Sequence, residues 1–110
     1  MRISKELLKG STVILILTLL DRKEMYGYEL AKELELRSGG IFSLKEGTLY
    51  PILHALEADS MVEAYWDEQG QRPRKYYRIT DRGRSQLEEK KREWSLFSGA
   101  VNRVLGGEGV

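Results

Sequence analysis

The chain contains 110 residues, with 18 basic side chains, 17 acidic ones and no cysteine. This length fits one domain, or one domain plus an appended helix. Without cysteine, the sequence offers no disulfides, thiolate metal sites or cysteine nucleophiles. Its longest apolar run, Val13–Leu20, is far shorter than the stretch of about 20 residues that spans a bilayer. Charged residues follow that run where a signal peptide carries small ones. We therefore expect a soluble, cytoplasmic protein.

The charges are segregated along the chain. Residues 57–68 include five acidic side chains and neither Lys nor Arg, whereas residues 72–84 include six basic side chains and one acidic one. A charge run usually only keeps a face solvated. Next to a turn, however, a basic cluster can also bind phosphates. The net charge of +1 therefore does not exclude a nucleic-acid partner.

Three helices are predicted in the first half of the chain. Residues 5–20 are apolar on almost every side, which indicates a helix that is buried all round, and a second subunit is its natural cover. Residues 26–37 carry an apolar stripe and end at two glycines. A third helix has apolar residues at i, i+3, i+4 and i+7 over Leu49–Leu56. Ser43–Glu46 matches a capping box, but we prefer a start near Glu46–Gly47, which keeps Pro51 close to the first turn.

A β-hairpin follows the third helix. Val62–Trp66 alternates apolar and polar residues, Gln69–Pro73 interrupts the pattern, and Lys75–Ile79 is rich in strand formers. Tyr76 and Tyr77 point to opposite faces of the second strand. One of them must pack on the body of the domain, and the alternation alone does not say which.

The last predicted element is a long helix. It is capped by Thr80 and carries apolar residues close to a heptad spacing. Helix, helix, helix and basic hairpin is the order of a winged helix-turn-helix. We therefore predict a mainly α protein with a small β-hairpin. Residues 1–80 form the winged helix-turn-helix domain, residues 81–105 a dimerisation helix and residues 106–110 a flexible tail.

Three motifs resemble the PadR family of bacterial transcriptional regulators. Tyr26–Leu30 opens the second helix, Glu46–Pro51 opens the third, and Arg74–Thr80 closes the hairpin, with Gly83 one turn later. The single long C-terminal helix is similar to that of the short branch, which includes multidrug-responsive repressors. The resemblance implies a homodimer that binds a pseudo-palindromic DNA operator, with the first and last helices at the subunit interface.

The candidate DNA-binding residues come from the second helix start, the exposed face of the third helix and the hairpin tip. The outer face of the third helix offers groups able to meet phosphates and base edges. A helix start favours an anion, although simple packing also explains the tyrosines there, and His54 is open to solvent exposure as well as phosphate contact. The candidates are Tyr26, Gly27, Tyr28, Lys45, Thr48, Tyr50, His54, Arg72, Arg74 and Lys75.

The predicted subunit interface uses the apolar faces of the first and last helices: Leu8, Val13, Leu17, Leu87, Trp94, Phe97, Val101 and Leu105. Trp94 has two interpretations. It is either a packing residue of this seam or, as the multidrug-binding branch implies, one half of a site for a planar aromatic molecule. Its neighbours one turn away, Lys91 and Ser98, supply neither a second aromatic ring nor a negative charge.

The expected function is a dimeric DNA-binding transcriptional regulator, acting as a repressor and released by a small aromatic effector. The alternative is a winged-helix module for protein contacts, for which the acidic residues 57–68 would serve. An enzyme is not expected, because the chain has one histidine, no phosphate-binding loop and no paired carboxylates. For the same reasons we expect no cofactor and no metal site, and the short apolar run argues against a membrane partner.

Overall fold

The computed structural model describes residues 3–106, and residues 107–110 of the predicted tail lie outside the described residues. Four helices and three strands follow one another as α1 (Lys5–Arg22), β1 (Met25–Tyr26), α2 (Gly27–Arg37), α3 (Glu46–Ala58), β2 (Val62–Asp67), β3 (Arg74–Ile79) and α4 (Asp81–Val104). The predicted mainly α fold is confirmed, and α3 begins at Glu46 as expected. No helix within residues 3–106 has the length and apolarity needed to cross a membrane.

The sheet has one strand more than predicted. Its order is β1-β3-β2 and both pairings are antiparallel, so β3 is the central strand. The β2–β3 hairpin, called the wing below, was predicted. β1 was not predicted, because its two residues are too few to show an alternation. It pairs Met25 with Tyr77 and Tyr26 with Tyr76.

The core lies between α1, α2, α3, the inner face of the sheet and the first turns of α4. Its apolar side chains recur at helical spacing, so each helix contributes one buried face. Apolar burial of this kind stabilises a fold by about 1.5–3 kcal/mol for each large side chain. The fully buried ones include Ile16, Leu17, Leu30, Leu49, Leu53, Val62, Tyr77 and Leu87.

Two of the predicted subunit-interface residues are instead part of this core. Leu17 is 0% exposed and Leu87 is 1% exposed within a single chain. Neither has surface left for another subunit, so the prediction is wrong for both. For Leu87 the cause is its position along α4: Gly83 and Leu87 lie in the first turns, which pack on the chain's own core, while Phe97 and Val101 lie further along the helix and stay exposed.

The wing is joined to α4 through a single residue, Thr80. The Gly83 N–H donates to the Thr80 hydroxyl oxygen at 2.9 Å, and that hydroxyl donates to the Ser60 carbonyl oxygen at 2.7 Å. The Thr80 N–H donates to the Met61 carbonyl oxygen at 3.0 Å. A Cβ at Gly83 would overlap that same Met61 carbonyl. The junction therefore requires a residue without a side chain at the first turn of α4.

Gly83→Ala should lower the free energy of unfolding by about 1–3 kcal/mol or more, because the new methyl group meets backbone that cannot move aside cheaply. Gly47→Ala is the matched control, since a Cβ there meets nothing within 4 Å. Urea unfolding followed by circular dichroism measures both variants. Equal midpoints for Gly83→Ala and the unsubstituted protein would contradict this description of the junction.

Candidate nucleic-acid interface

One side of the molecule carries a concave surface between α3, the start of α2 and the wing. Eight of the ten candidate DNA-binding residues line it: Tyr26, Gly27, Tyr28, Tyr50, His54, Arg72, Arg74 and Lys75. Lys45 and Thr48 are exposed at the start of α3 but lie outside this lining. The concave surface also includes Glu46, Trp66, Pro73 and Tyr77.

Helix α3 presents two different faces because of its apolar spacing. Leu49, Leu53 and Leu56 turn into the core, which leaves Tyr50 and His54 on the side that borders the concave surface. The two rings are neighbours along this face, with centroids 6.3 Å apart. His54 is exposed, whereas Tyr50 is half-buried. At the concave surface, α3 therefore presents the exposed ring of His54 and the half-buried ring of Tyr50.

The half-buried Tyr50 packs against the first residue of α2. A Cβ at Gly27 would lie 2.5 Å from the Tyr50 hydroxyl oxygen and 2.8 Å from the adjoining ring carbon. Gly27 is thus required for a close approach of helix α3 to helix α2. This contact gives Gly27 a structural role, and it brings the Tyr50 hydroxyl to the N-terminal end of α2.

The two basic residues at the start of β3 point to opposite sides of the sheet. The Arg74 guanidinium carbon lies 4.6 Å from the centre of the Tyr26 ring. Lys75 turns toward α3, where its Nζ is 3.7 Å from Oε1 of Glu57. Ion pairs with this much exposure contribute little stability. Their effect here is geometric, because Arg74 lies over the start of α2 while Lys75 connects the wing to α3.

A row of three tyrosines crosses the outer face of the sheet. Tyr26, Tyr76 and Tyr65 are in register on β1, β3 and β2, and adjacent ring centroids are 5.4 and 5.7 Å apart. The Tyr65 hydroxyl donates to a carboxylate oxygen of Glu24, next to β1, and this hydrogen bond raises the pKa of Tyr65. The row thus ties the short strand β1 to both strands of the wing.

Tyr77 is the buried member of the tyrosine pair that the sequence left undecided. Its side chain is fully buried on the inner face of β3, while Tyr76 is half-buried on the outer face. The Tyr77 hydroxyl makes no hydrogen bond to any described residue. Burial raises the pKa of Tyr77, so this hydroxyl keeps its proton at neutral pH.

The acidic residues between 57 and 68 do not form one surface. Glu57 lies beside Lys75, and Oε1 of Glu63 accepts a hydrogen bond at 3.0 Å from Arg78 on the neighbouring strand. Asp67 accepts at 3.0 Å from the Gln69 N–H in the turn of the wing. Two of these carboxylates therefore balance basic residues of β3, and a third holds the turn.

Trp66 is the large exposed apolar residue among the four lining residues that were not predicted. The alternation of Val62, Ala64 and Trp66 puts all three on the inner face of β2, where Val62 is buried. The body of the domain ends before Trp66, whose side chain is 62% exposed. The sequence contains one indication of this exposure. Trp66 is the last apolar residue of the strand before the turn, and a hairpin projects beyond its domain at that point.

A groove of about 490 Å³ lies on another side of the molecule, between α1 and the second half of α4. We call it the α1–α4 groove. Trp94 and Phe97 of α4 form one wall, with ring centroids 6.0 Å apart, and Val13 and Ile14 of α1 lie opposite. Trp94 is 47% exposed. The charged residues of the lining are Glu6, Lys90 and Glu93.

Three helices, a wing and a basic concave surface between α3 and the wing define a winged helix-turn-helix domain, here extended by a C-terminal helix. Residues 16–89 match the model of the transcriptional regulator PadR-like family. The chain belongs to this family, and it is a transcriptional regulator rather than an enzyme. The family resemblance found in the sequence motifs is thereby confirmed.

Individual relatives agree with this assignment. The structure of a transcriptional regulator from Clostridium thermocellum is 33% identical, with a TM-score of 0.85 over 92% of this chain and 96% of that one. A PadR-like transcriptional regulator from Bacillus cereus is 37% identical, with a TM-score of 0.82 over 94% of this chain and 100% of that one. The transcriptional regulator Rv3488 of Mycobacterium tuberculosis is 38% identical over 77% of this chain and 74% of its own length.

Proposed function

We propose that this regulator is a homodimeric repressor, in which each subunit binds one half of a pseudo-palindromic DNA operator with its concave surface. The observation that carries the proposal is the convergence of α3, the start of α2 and the basic wing on that one surface. Repression is the role implied by the resemblance to multidrug-responsive repressors. A transcriptional regulator acts where the DNA is, so the proposal places the protein in the cytoplasm.

The phosphate backbone is assigned to the start of α2 and to the wing. The first backbone N–H groups of a helix and its dipole favour an anion, and Tyr26 and Tyr28 flank this end of α2. Arg72 and Arg74 are exposed beside it. Guanidinium groups recognise phosphate well because their donors form a planar fork. These contacts position the protein on DNA without reading its sequence.

Base recognition is assigned to the exposed side of α3. In helix-turn-helix proteins the N-terminal residues of the recognition helix meet base edges in the major groove. These positions are Lys45, the N-cap of α3, and Thr48 in its first turn, followed by Tyr50 and His54. In a dimer, the two copies of α3 would enter successive major grooves about 34–36 Å apart.

The alternative, a winged-helix module for protein contacts, loses its main support. It relied on the acidic residues 57–68 as a docking surface, but Glu57 and Glu63 lie against basic residues of the wing. Binding that weakens steeply with salt and prefers one DNA sequence would favour the operator proposal.

Replacing both Arg72 and Arg74 with Ala should weaken binding to every DNA sequence to a similar extent. It should also reduce the slope of log affinity against log salt by about 0.9 for each phosphate that the protein no longer neutralises. Fluorescence anisotropy with a selected operator duplex and a scrambled duplex, across a salt series, measures both effects. Arg37→Ala is the control, because Arg37 pairs with Glu33 at the far end of α2. An unchanged slope in the double variant would disprove the assignment of the wing.

The homodimer is proposed from the apolar residues that a single chain leaves uncovered. Leu8 and Val13 of α1 remain half-buried, and Trp94, Phe97, Val101 and Leu105 of α4 remain exposed. Soluble monomers rarely expose a contiguous apolar patch of this kind. A two-fold symmetric dimer is the commonest way to cover one, and here α4 of one subunit would pack against α1 and α4 of the other.

Phe97→Asp should convert the dimer into a folded monomer. Each symmetric interface buries the residue twice, and burial of one Phe contributes about 1.5–3 kcal/mol. Sedimentation equilibrium should then give a mass near 12.7 kDa, the mass of one chain, with the helical circular dichroism retained. Ser85→Asp adds the same charge to an exposed position nearer the start of α4 and should stay dimeric. A dimer of undiminished affinity in Phe97→Asp would place the interface elsewhere.

We further infer a planar aromatic effector for the α1–α4 groove. Two-fold symmetry places identical residues opposite each other where a helix crosses the axis, and Trp94 lies near the middle of α4. A flat molecule between two indoles gains about 0.5–1.5 kcal/mol from stacking beyond the area buried. Because ligand and operator would favour different separations of the two α3 helices, each would weaken the binding of the other by the same factor.

Titration with a planar dye should quench Trp94 fluorescence and lower the affinity for operator DNA. Trp94→Ala is the control, since Trp66 also emits. The reciprocity requires that saturating operator reduces dye affinity by the same factor as saturating dye reduces operator affinity. If a panel of planar compounds changes neither Trp94 emission nor operator affinity, Trp94 is only a packing residue.

A further inference from the structure

Trp66 is a large apolar side chain that the fold holds out into solvent. It faces Lys75 across the hairpin, as its register partner on β3. Residues of β2 closer to the body, such as Val62, are covered by the core, whereas Trp66 is 62% exposed. A single exposed apolar residue is common on protein surfaces, so the role of Trp66 depends on the residues that surround it.

The neighbours of Trp66 identify the kind of molecule. It lines the concave surface together with His54 of α3 and with Arg72, Pro73 and Lys75 of the wing. The apolar pair Trp66 and Pro73 is thus bordered by the cationic side chains of Arg72 and Lys75, and a partner that fits must combine negative charge with apolar surface. DNA has both, since its phosphates flank deoxyribose rings along the walls of the minor groove.

The chemistry of the indole ring restricts which DNA sequence it suits. The indole N–H is a donor only. In the minor groove, A·T and T·A pairs present only the acceptors adenine N3 and thymine O2, whereas G·C pairs add the guanine N2 amino group, itself a donor. A·T tracts also narrow the groove and increase its negative potential, which favours the basic residues around Trp66.

On this basis we propose that Trp66 enters the minor groove beside each half-site and gives the regulator a preference for A·T pairs there. The inference rests on the proposed operator function. It adds a determinant of sequence specificity that is separate from α3: α3 reads base edges in the major groove, and Trp66 senses the minor groove next to it.

The test uses the full-length protein and three operator duplexes that differ only in the flank reached by the wing. That flank contains A·T, G·C or inosine·C pairs, and inosine lacks the N2 amino group. The unsubstituted protein should bind the A·T and inosine·C duplexes about tenfold more tightly than the G·C duplex, the effect expected of about one unfavourable base pair. In Trp66→Ala the three affinities should become equal. Its affinity for the A·T duplex should fall about tenfold, as for truncation of a well-packed aromatic residue.

A second measurement follows the indole directly. Protein labelled with fluorotryptophan has one fluorine NMR resonance for each of its two tryptophans, and Trp66→Phe assigns them. Saturation with the A·T duplex should shift the Trp66 resonance. Leu36→Ala is the matched control, because Leu36 is an exposed apolar residue outside the concave surface and should bind all three duplexes normally.

The possible failures are distinguishable. If the unsubstituted protein selects its operator but Trp66→Ala retains the same affinity and the same order of the three duplexes, the inference about Trp66 is wrong and the proposed function stands. If the unsubstituted protein binds operator and scrambled DNA equally, the proposed function fails, and the inference fails with it.

Discussion

The hydrogen-bond ladders on the two edges of β3 hold the rest of the molecule in place. One ladder pairs β3 with β1 and the other pairs it with β2, while Tyr77 and Ile79 anchor its inner face in the core. Because α2 begins at the residue after β1, the first ladder fixes the start of α2 relative to the wing. The second holds Trp66 at the rim of the concave surface.

Besides the leucines that it buries in the core, helix α3 makes one small contact with the start of α2 and one with the wing. Tyr50 packs on the bare backbone of Gly27, and Glu57 lies beside Lys75 of the wing. Neither contributes much stability alone, but together they connect α3 to the elements on both sides of the concave surface. A surface assembled before binding has less conformational entropy to lose on binding, so in the proposed complex these elements would meet DNA as one unit.

The sequence predicted best those elements in which apolar residues recur at a regular spacing. The spacing of Leu49, Leu53 and Leu56 was enough to define α3 and its outward face, and the basic turn was enough to locate the wing. Spacing shows that a side is buried but not which chain buries it, which is why Leu17 and Leu87 were assigned to a partner. β1 was missed because two residues have no period, and their pairing depends on a strand some fifty residues later.

The one-residue connection at Thr80 has a mechanical consequence. There is no linker between the wing and α4, because the last residue of β3 and the first residue of α4 flank Thr80. At this point Gly83 packs so closely on the Met61 backbone that no side chain fits between them. A rotation of α4 cannot be absorbed at this point. Because β3 is paired with both β1 and β2, such a rotation would be transmitted to the whole sheet, and the displacement would grow with distance from the pivot, so that it would be largest at the hairpin tip.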